Sequence, residues 1–369
     1  MSKNFYIIIV SCVLYMHGIY AQQNTMTTDN IIKIGLLIGN NRSIAARNGA
    51  EMAIDKANEK EGSDGLHFQL VVRSIEGPWG TGSKEAVNLV FKEKVWAIMG
   101  SHDARNAHLV QQVISRTSVV FLSAWASDPT LSQAFIPWYF SCVPNDIQQA
   151  DALIEEIYNK RKIIKIATVS DEGYDSKLAL QSLLKEIKIA GKSEPKQLFY
   201  DSSNNNFKIL FDEIIEAGVN GVILFGQPSA SFSFIHQLRQ KKMNQPVFGV
   251  LSLLGEGEYD DLELGQYDNI TLVTSGDWLG SKELSFQNEF RKKYNKMPDA
   301  VAAYAFDGMN LIIEAVRISG VDREKIQEAM SKIHYKGVTG PIQFDEKGNR
   351  MGPVELIEIN VGIPVTVEK

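Results

Sequence analysis

The sequence contains few cysteines and none of the short motifs that mark common enzyme sites. Only Cys12 and Cys142 occur among its 369 residues. It has no G-x-S-x-G, H-E-x-x-H, C-x-x-C or G-x-G-x-x-G pattern. The glycine-rich run EGPWGTGSKEA lacks the Gly-Lys-Ser/Thr ending of a phosphate loop, so it predicts a strand-to-helix loop. Catalysis has little support, and we expect no cofactor and no bound metal.

The sequence also lacks a positive charge excess and a long internal apolar segment. The formal net charge is −6, so no basic field favours nucleic acid or an anionic membrane surface. Beyond the N-terminus, no apolar stretch approaches the roughly 20 residues that a membrane-spanning helix needs. The hydrophobic content of 44% and the charged content of 22% are typical of a globular protein.

The N-terminus is the exception. Lys3 precedes the apolar run FYIIIVSCVLYM, and HGIYAQQN follows. This pattern predicts a secretory signal peptide over 1–21, cleaved after Ala21. Two alternatives are a lipoprotein cleavage site at Cys12 and an uncleaved anchor. After cleavage at Ala21 only Cys142 remains, so the mature chain forms no internal disulfide, and we expect Cys142 to be a buried small hydrophobe.

The length and the hydrophobic pattern predict two α/β units. A chain of 369 residues fits two domains of about 150 residues each. Apolar strands such as IIKIGLLIG and VWAIMGS alternate with helix-like runs, which indicates a parallel sheet covered on both faces. The alternation restarts with NDIQQADALIEEIYNK, a helix-like run with an Asn or Asp cap. In the last third, three helix-like runs and then several strands break the rhythm, so we expect the helices to complete the first lobe and the strands the second.

Several segments, in this order and spacing, resemble the type I periplasmic binding proteins, specifically the branched-chain amino acid (Leu/Ile/Val) group that serves ABC importers. They are IKIGLLIG, NGAEMAIDKAN, VWAIMGSHDARNAHLV, VVFLSAWASDPTLSQ, VSDEGYDSKLALQSL, NNNFKILFDEIIEAGVNGVILFG, AYAFDGMNLIIEAV and TGPIQFDEKGNR. The resemblance covers essentially the whole mature chain. It implies two Rossmann-like lobes joined by three crossovers, with lobe 1 at 31–145 plus 275–338 and lobe 2 at 146–274 plus 339–369.

The resemblance also implies a ligand in the cleft between the lobes, where parallel strands end. The loops after two neighbouring strands would hold the carboxylate of an amino acid with hydroxyl and backbone N–H groups. The family's hydroxyl position aligns near Ala104 or Arg105, and the acid that meets the ammonium aligns near Ser252 or Leu253, with Glu256 the nearest acid. The predicted ligand-binding residues are Trp79, Ser101, His102, Ala104, Arg105, Trp125, Ala126, Ser127, Tyr174, Gln227, Ser229 and Ser252.

Several of these residues have a second interpretation. Trp125 is a binding platform or a core residue, and Ser127 is a ligand contact or a helix cap. Arg105 is able to bind an anion bidentately. His102 and Asp103 suggest a pH-sensitive or catalytic pair, but a helix cap by Asp103 is the commoner explanation. We expect Asp307 to make a structural hydrogen bond or a hinge contact.

The sequence therefore predicts an exported, monomeric solute-binding protein of the periplasm that captures a small polar or anionic, amino-acid-like solute. It would deliver this solute to an ABC permease in the membrane, with hinges near 144–147, 274–278 and 338–341. The first alternative is a ligand-sensing module for a membrane receptor. The second is a periplasmic enzyme that uses His102, Asp103 and Arg105.

Overall fold

The structure is a computed structural model, and it describes most of the chain. The described residues are 31–40, 43–61, 65–203, 206–256, 268–276, 278–279, 284–352, 354–360 and 363–367. The predicted signal peptide at 1–21 and the alternative lipidation site at Cys12 lie outside them. No helix in these ranges is long and apolar enough to span a bilayer.

The first half of the chain forms a five-stranded parallel sheet in the order β2-β1-β3-β4-β5. Its strands are β1 Ile31–Ile38, β2 His67–Ser74, β3 Ala97–Ser101, β4 Val120–Ser123 and β5 Tyr139–Ser141. The helices between them are α1 Ala45–Glu61, α2 Thr81–Val87, α3 Ala104–Thr117 and α4 Thr130–Gln133. Every residue of β3, β4 and β5 is buried, as a sheet covered on both faces requires.

The alternation then restarts and builds the second sheet. Its parallel strands are β6 Ile166–Asp171, β7 Lys196–Tyr200, β8 Gly221–Phe225, β9 Val247–Gly249 and β10 Ile270–Thr274. The helices of this part are α5 Asp146–Ile154, α6 Tyr174–Ile189, α7 Lys208–Glu216 and α8 Pro228–Gln240, and a 3-10 turn covers Leu251–Leu254. Crossover connections through helices let neighbouring strands run parallel, and the observed order of these strands is β10-β9-β8-β6-β7.

In the described ranges, the C-terminal third contributes three helices, a separate three-stranded sheet and two further strands of the second sheet. Its elements are α9 Leu284–Tyr294, α10 Ala300–Ser319, α11 Arg323–Lys332, β11 Tyr335–Gly337, β12 Gly340–Phe344, β13 Arg350–Met351, β14 Glu355–Asn360 and β15 Ile363–Thr366. Helix α10 packs on α1 so closely that a Cβ atom on Gly49 would lie 2.2 Å from the carbonyl oxygen of Ala302. Strand β14 pairs antiparallel with β10, and β15 pairs with β14. The chain therefore passes between the two sheets three times, and the predicted α/β fold with two lobes is confirmed.

A buried polar network lies where the crossing segments meet. The Asp307 carboxylate accepts hydrogen bonds from the Val338 N–H (3.0 Å), the Thr339 N–H (2.7 Å) and the Thr339 hydroxyl (2.6 Å). The Arg350 guanidinium donates to the carbonyl oxygens of Cys142 (2.8 Å) and Pro341 (3.1 Å), and also to Thr339. Asp307 thus makes the structural hydrogen bonds that the sequence predicted for it. Cys142 is buried, as expected.

Candidate ligand-binding cleft

The carboxyl ends of strands from both sheets face a cleft of about 730 Å³. This is the edge at which open parallel sheets bind ligands, because strand ends and helix starts leave backbone and polar groups unpaired there. Lobe 1 is the body around the first sheet, and lobe 2 is the body around the second. The cleft is lined by Gly39, Asn40, Ser43, Ile44, Ala46, Glu76, Ser101, His102, Asp103, Trp125, Ser127, Asp146, Gln149, Asp175, Ser176, Ala179, Gln227, Val250, Ser252, Gly255, Glu256, Lys296 and Val301.

The lobe 1 floor is made by the residues that follow β3 and β4. Ser101 ends β3, and Trp125 and Ser127 lie in the loop after β4. The His102 side chain is buried, stacks on Phe121 and places Nδ1 3.1 Å from the Asp103 carbonyl oxygen. Burial lowers the pKa of His102, so its imidazole is neutral at pH 7. His102 therefore contributes a neutral ring to the floor.

Asp103 serves as the N-cap of α3, as the sequence predicted. Its Oδ1 accepts the Asn106 N–H at 2.9 Å, and its Oδ2 accepts the Asn106 amide at 2.8 Å. Both carboxylate oxygens are thus engaged by Asn106 at the helix start. This carboxylate makes no hydrogen bond with the His102 ring, because the Nδ1 atom of that ring lies against the backbone oxygen of Asp103 instead.

A buried carboxyl that the sequence interpretation did not select, that of Asp146, lines the cleft. Asn145 caps α5 through a reciprocal capping box with Gln148, which leaves the next side chain, Asp146, free of capping. The Ser127 hydroxyl donates to Asp146 Oδ1 at 2.7 Å. Burial raises the pKa of Asp146 well above its usual range. A positively charged group beside Asp146 would favour its ionised form.

Lobe 2 supplies polar groups from the starts of its helices and turns. Gln227 is the residue before α8, and the Ser252 hydroxyl donates to the Gly226 carbonyl oxygen at 3.1 Å. Gln149 accepts the Leu251 N–H at 2.8 Å, which fixes the 3-10 turn against α5. Burial raises the pKa of Asp175 to about 6, although the nearby Arg105 opposes this shift.

Six of the twelve predicted residues line the cleft. They are Ser101, His102, Trp125, Ser127, Gln227 and Ser252. The other six lie around it. The Arg105 guanidinium lies over the rings of Trp79 and Tyr174, Ala104 and Ala126 are buried, and Ser229 is exposed on α8.

The sequence interpretation missed several polar side chains of the cleft wall, among them Asp146, Gln149, Asp175 and Glu256. Asp146 and Gln149 belong to the first turns of the helix that follows the first crossover, and the sequence pattern suggested only a helix cap there. Asp175 is adjacent to the predicted Tyr174. Glu256 was noted only as the nearest acid to the family position. Their common signal is an acidic or amide residue in the first turn of a helix or just after the 3-10 turn.

Carboxyl groups outnumber cationic groups in the cleft wall. Among the described lining residues, Glu76, Asp103, Asp146, Asp175 and Glu256 are acidic and Lys296 is basic. The structure places no group of three or more metal-ligating side chains anywhere in the described ranges. The cleft is therefore a polar, acid-rich cavity of a size suited to a small molecule.

A family profile for periplasmic binding proteins matches residues 33–360. The chain belongs to the periplasmic binding protein family. This match includes all the described cleft residues and every strand of both sheets except β15 and the first two residues of β1, so the family assignment rests on nearly the whole chain. It agrees with the sequence-based resemblance.

Solved structures with the same fold include two bacterial solute-binding proteins. LivJ from Streptococcus pneumoniae, solved with isoleucine, has a TM-score of 0.78 at 19% identity and covers 91% of this chain and 100% of its own. An ABC-transporter solute-binding protein from R. palustris, solved with benzoate, has a TM-score of 0.78 at 18% identity, with 91% and 95% coverage. At these identities the likeness shows the fold.

Sequence relatives fall into two groups. The Leu/Ile/Val/Thr/Ala-binding protein of Pseudomonas aeruginosa is 21% identical over 312 residues, which cover 82% of this chain and 81% of that protein. Glutamate receptor 3.4 of Arabidopsis thaliana is 21% identical over 371 residues, which cover 88% of this chain. The chain spans only 38% of that receptor and 15% of glutamate receptor 3.7.

Proposed function

We propose that this chain is an exported substrate-binding protein that captures a small polar or anionic, amino-acid-like solute in the interlobe cleft and delivers it to an ABC importer. It would act by closing its two lobes around the solute and not by catalysing a reaction, because solute contacts on both lobes favour the closed arrangement over the open one. We infer that it is a monomer and not an enzyme. The observation that carries the proposal is a cleft of about 730 Å³ whose polar wall comes from both lobes.

The polar groups of the cleft suit a zwitterion. A solute carboxylate would lie at the tip of β3, near Ser101 and the start of α3, where the positive end of the helix favours an anion. A solute ammonium would lie beside Asp146, which burial otherwise makes costly to ionise. Trp125 would pack on the apolar part of the solute.

Two features of the cleft limit the size and the charge of the solute that it can bind. The cavity holds a molecule of amino-acid or small aromatic-acid size, which agrees with the isoleucine and benzoate found in proteins of the same fold. The predominance of carboxyl groups disfavours solutes with several negative charges, because each would lie near at least one acidic side chain.

The test is native mass spectrometry of the purified protein followed by calorimetry with L-isoleucine, L-leucine, L-glutamate and benzoate. We expect one small molecule per chain in the spectrum and saturable heat with at least one probe. Neither a bound mass nor any heat, from a protein shown to be folded, would contradict the proposal.

A ligand-sensing module is the second candidate, and the similarity to plant glutamate receptors favours it. The two candidates predict the same cleft and differ in the membrane partner. Solute uptake by cells that lack the chain separates them: a transport protein is needed for uptake, whereas a sensor is needed only for the response to the solute.

We further propose the location and the lobe boundaries that the sequence predicted. The signal peptide would be cleaved after Ala21 and the mature chain would lie in the periplasm. Lobe 1 would comprise 31–145 plus 275–338, and lobe 2 would comprise 146–274 plus 339–369. The close packing of α10 on α1 and the pairing of β14 with β10 support this division. N-terminal sequencing of the exported chain tests the cleavage site.

A further inference from the structure

Two helices begin opposite each other at the rim of the cleft, α3 in lobe 1 and α6 in lobe 2. The N–H of Ala104, the first residue of α3, donates to Asp175 Oδ1 at 3.2 Å. Asp175 lies in the first turn of α6. Helix N-termini carry partial positive charge, so two that face each other repel. A carboxylate between them is attracted to both, and Asp175 therefore links the two helix starts.

The neighbouring residues of the same two helices also meet. The Arg105 guanidinium lies 4.6 Å from the ring centroid of Tyr174 in lobe 2 and 5.8 Å from that of Trp79 in lobe 1. A planar guanidinium stacks well on an aromatic face, because the ring quadrupole attracts the cation. Trp79 is 73% exposed and Tyr174 is 40% exposed, so neither ring is held there by a surrounding core. The contact with Arg105 accounts for their positions at the rim.

A second contact joins the lobes at another helix start. Glu256 follows the 3-10 turn of lobe 2, and its Oε1 accepts the N–H groups of Ile44 (2.7 Å) and Ala45 (3.0 Å) at the beginning of α1. Beside it, Trp125 of lobe 1 packs so close to Gly255 that a Cβ atom there would lie 3.1 Å from the indole ring. The two lobes are thus in contact at two places through groups that belong to the protein itself.

We propose that Trp79, Arg105, Tyr174 and Asp175 form a rim clasp that stabilises lobe closure independently of the solute. In this role Arg105 and Tyr174 are positioning residues. They set the fraction of molecules in the closed arrangement and thereby the apparent affinity, without touching the solute. The inference goes beyond solute capture and holds whichever small molecule the cleft binds.

The clasp is tested by small-angle scattering from the extensively dialysed protein without added solute. Arg105→Ala and Tyr174→Leu each remove the stack, and we expect a larger radius of gyration from a fall of about two- to fivefold in the ratio of closed to open molecules, as for an exposed cation–π contact. Tyr174→Phe keeps the aromatic face and should match the wild type. Arg116→Ala, an exposed position of the same helix, is the matched control.

The pattern across the four variants decides the outcome. A shift in Arg105→Ala and Tyr174→Leu, but not in Tyr174→Phe or Arg116→Ala, supports the clasp. Scattering curves that are the same for all variants and the wild type would overturn it, and so would a shift in Tyr174→Phe as large as that in Tyr174→Leu. Circular dichroism confirms that each variant is folded. A calorimetric failure to bind any solute would count against the proposed function and leave this result untouched.

Discussion

Two buried aspartates in this protein differ in how their charge is met, and the difference separates a structural site from a binding site. Asp307, near the crossing segments, accepts three hydrogen bonds and lies within the field of Arg350. Asp146, in the cleft, accepts a single hydrogen bond among the described residues, from the Ser127 hydroxyl. Burial raises the pKa of Asp307 to about 6, whereas it raises that of Asp146 well above the usual range with little compensation.

The contrast indicates what each region is for. A satisfied buried network holds segments in one arrangement, because loss of any member leaves the others unpaired. A buried carboxyl with few partners lowers stability unless something else supplies a counter-charge. In this protein the first arrangement lies where the lobes are joined, and the second faces the cavity where a solute would lie.

The largest effect on stability should follow loss of the buried Asp307 carboxylate. Asp307→Ala leaves the Val338 and Thr339 N–H groups and the Thr339 hydroxyl without their acceptor in a buried position. We expect the free energy of unfolding to fall by about 3–5 kcal/mol, measured by urea denaturation. Glu314→Ala, a more exposed position of the same helix, is the control and should cost less than about 1 kcal/mol. Equal losses in both variants would remove the distinction.

Asp146→Asn should lower the affinity for the solute without lowering stability, the opposite of what we expect for Asp307→Ala. Without the buried charge, we expect stability at pH 7 to be unchanged or higher, while affinity for an amino-acid solute falls about tenfold or more. Calorimetry with the amino acid that binds the wild type measures this, and denaturation in parallel gives the stability. An affinity that stays at the wild-type value would show that Asp146 does not contact the ammonium.

Trp125→Ala should weaken binding by about 1 kcal/mol or more, because a large aromatic side chain that packs on a ligand is a typical binding anchor. Affinity is again measured by calorimetry. Trp96→Ala is a useful comparison, since this partly buried tryptophan packs against the core and is not part of the cleft wall. If only Trp96→Ala changed affinity, the cleft assignment of Trp125 would be lost.

The smallest effect should be a pH dependence from Asp175. Its folded-state pKa of about 6 lies above the ordinary value of 3.8, so the folded protein holds this proton more tightly than the unfolded chain. Its contribution to stability is therefore greatest below pH 4 and is lost as pH rises toward 6. Denaturation midpoints between pH 4.5 and 7.5 should fall less steeply in Asp175→Asn than in the wild type. Identical slopes would contradict the shift.

The sequence predicted the architecture well because the fold depends on patterns that are local and repeated. Apolar runs such as IIKIGLLIG became the central strands, and the Asp103 cap and the buried Cys142 were also foreseen. Each of these follows from a few neighbouring residues. The three crossings required the resemblance as well, and the pairing of β14 with β10 was not predicted, because it joins segments far apart in the chain.

The cleft was predicted less completely because its key contacts join residues distant in sequence. Asp146 looked like part of a helix cap, and its role emerges only from its contact with Ser127, nineteen residues earlier. Arg105 looked like an anion ligand, but its guanidinium stacks on Trp79 and Tyr174. A single sequence shows which residues are polar at a strand end, but not which partner across the gap they meet.

The most direct test of solute capture is a crystal structure of the protein with its copurified solute or with the amino acid that binds best. We predict that the molecule lies between the lobes, with its ammonium beside Asp146 and its carboxylate at the tip of β3 near Ser101. A molecule bound only outside this cleft, or in contact with one lobe alone, would contradict capture by closure.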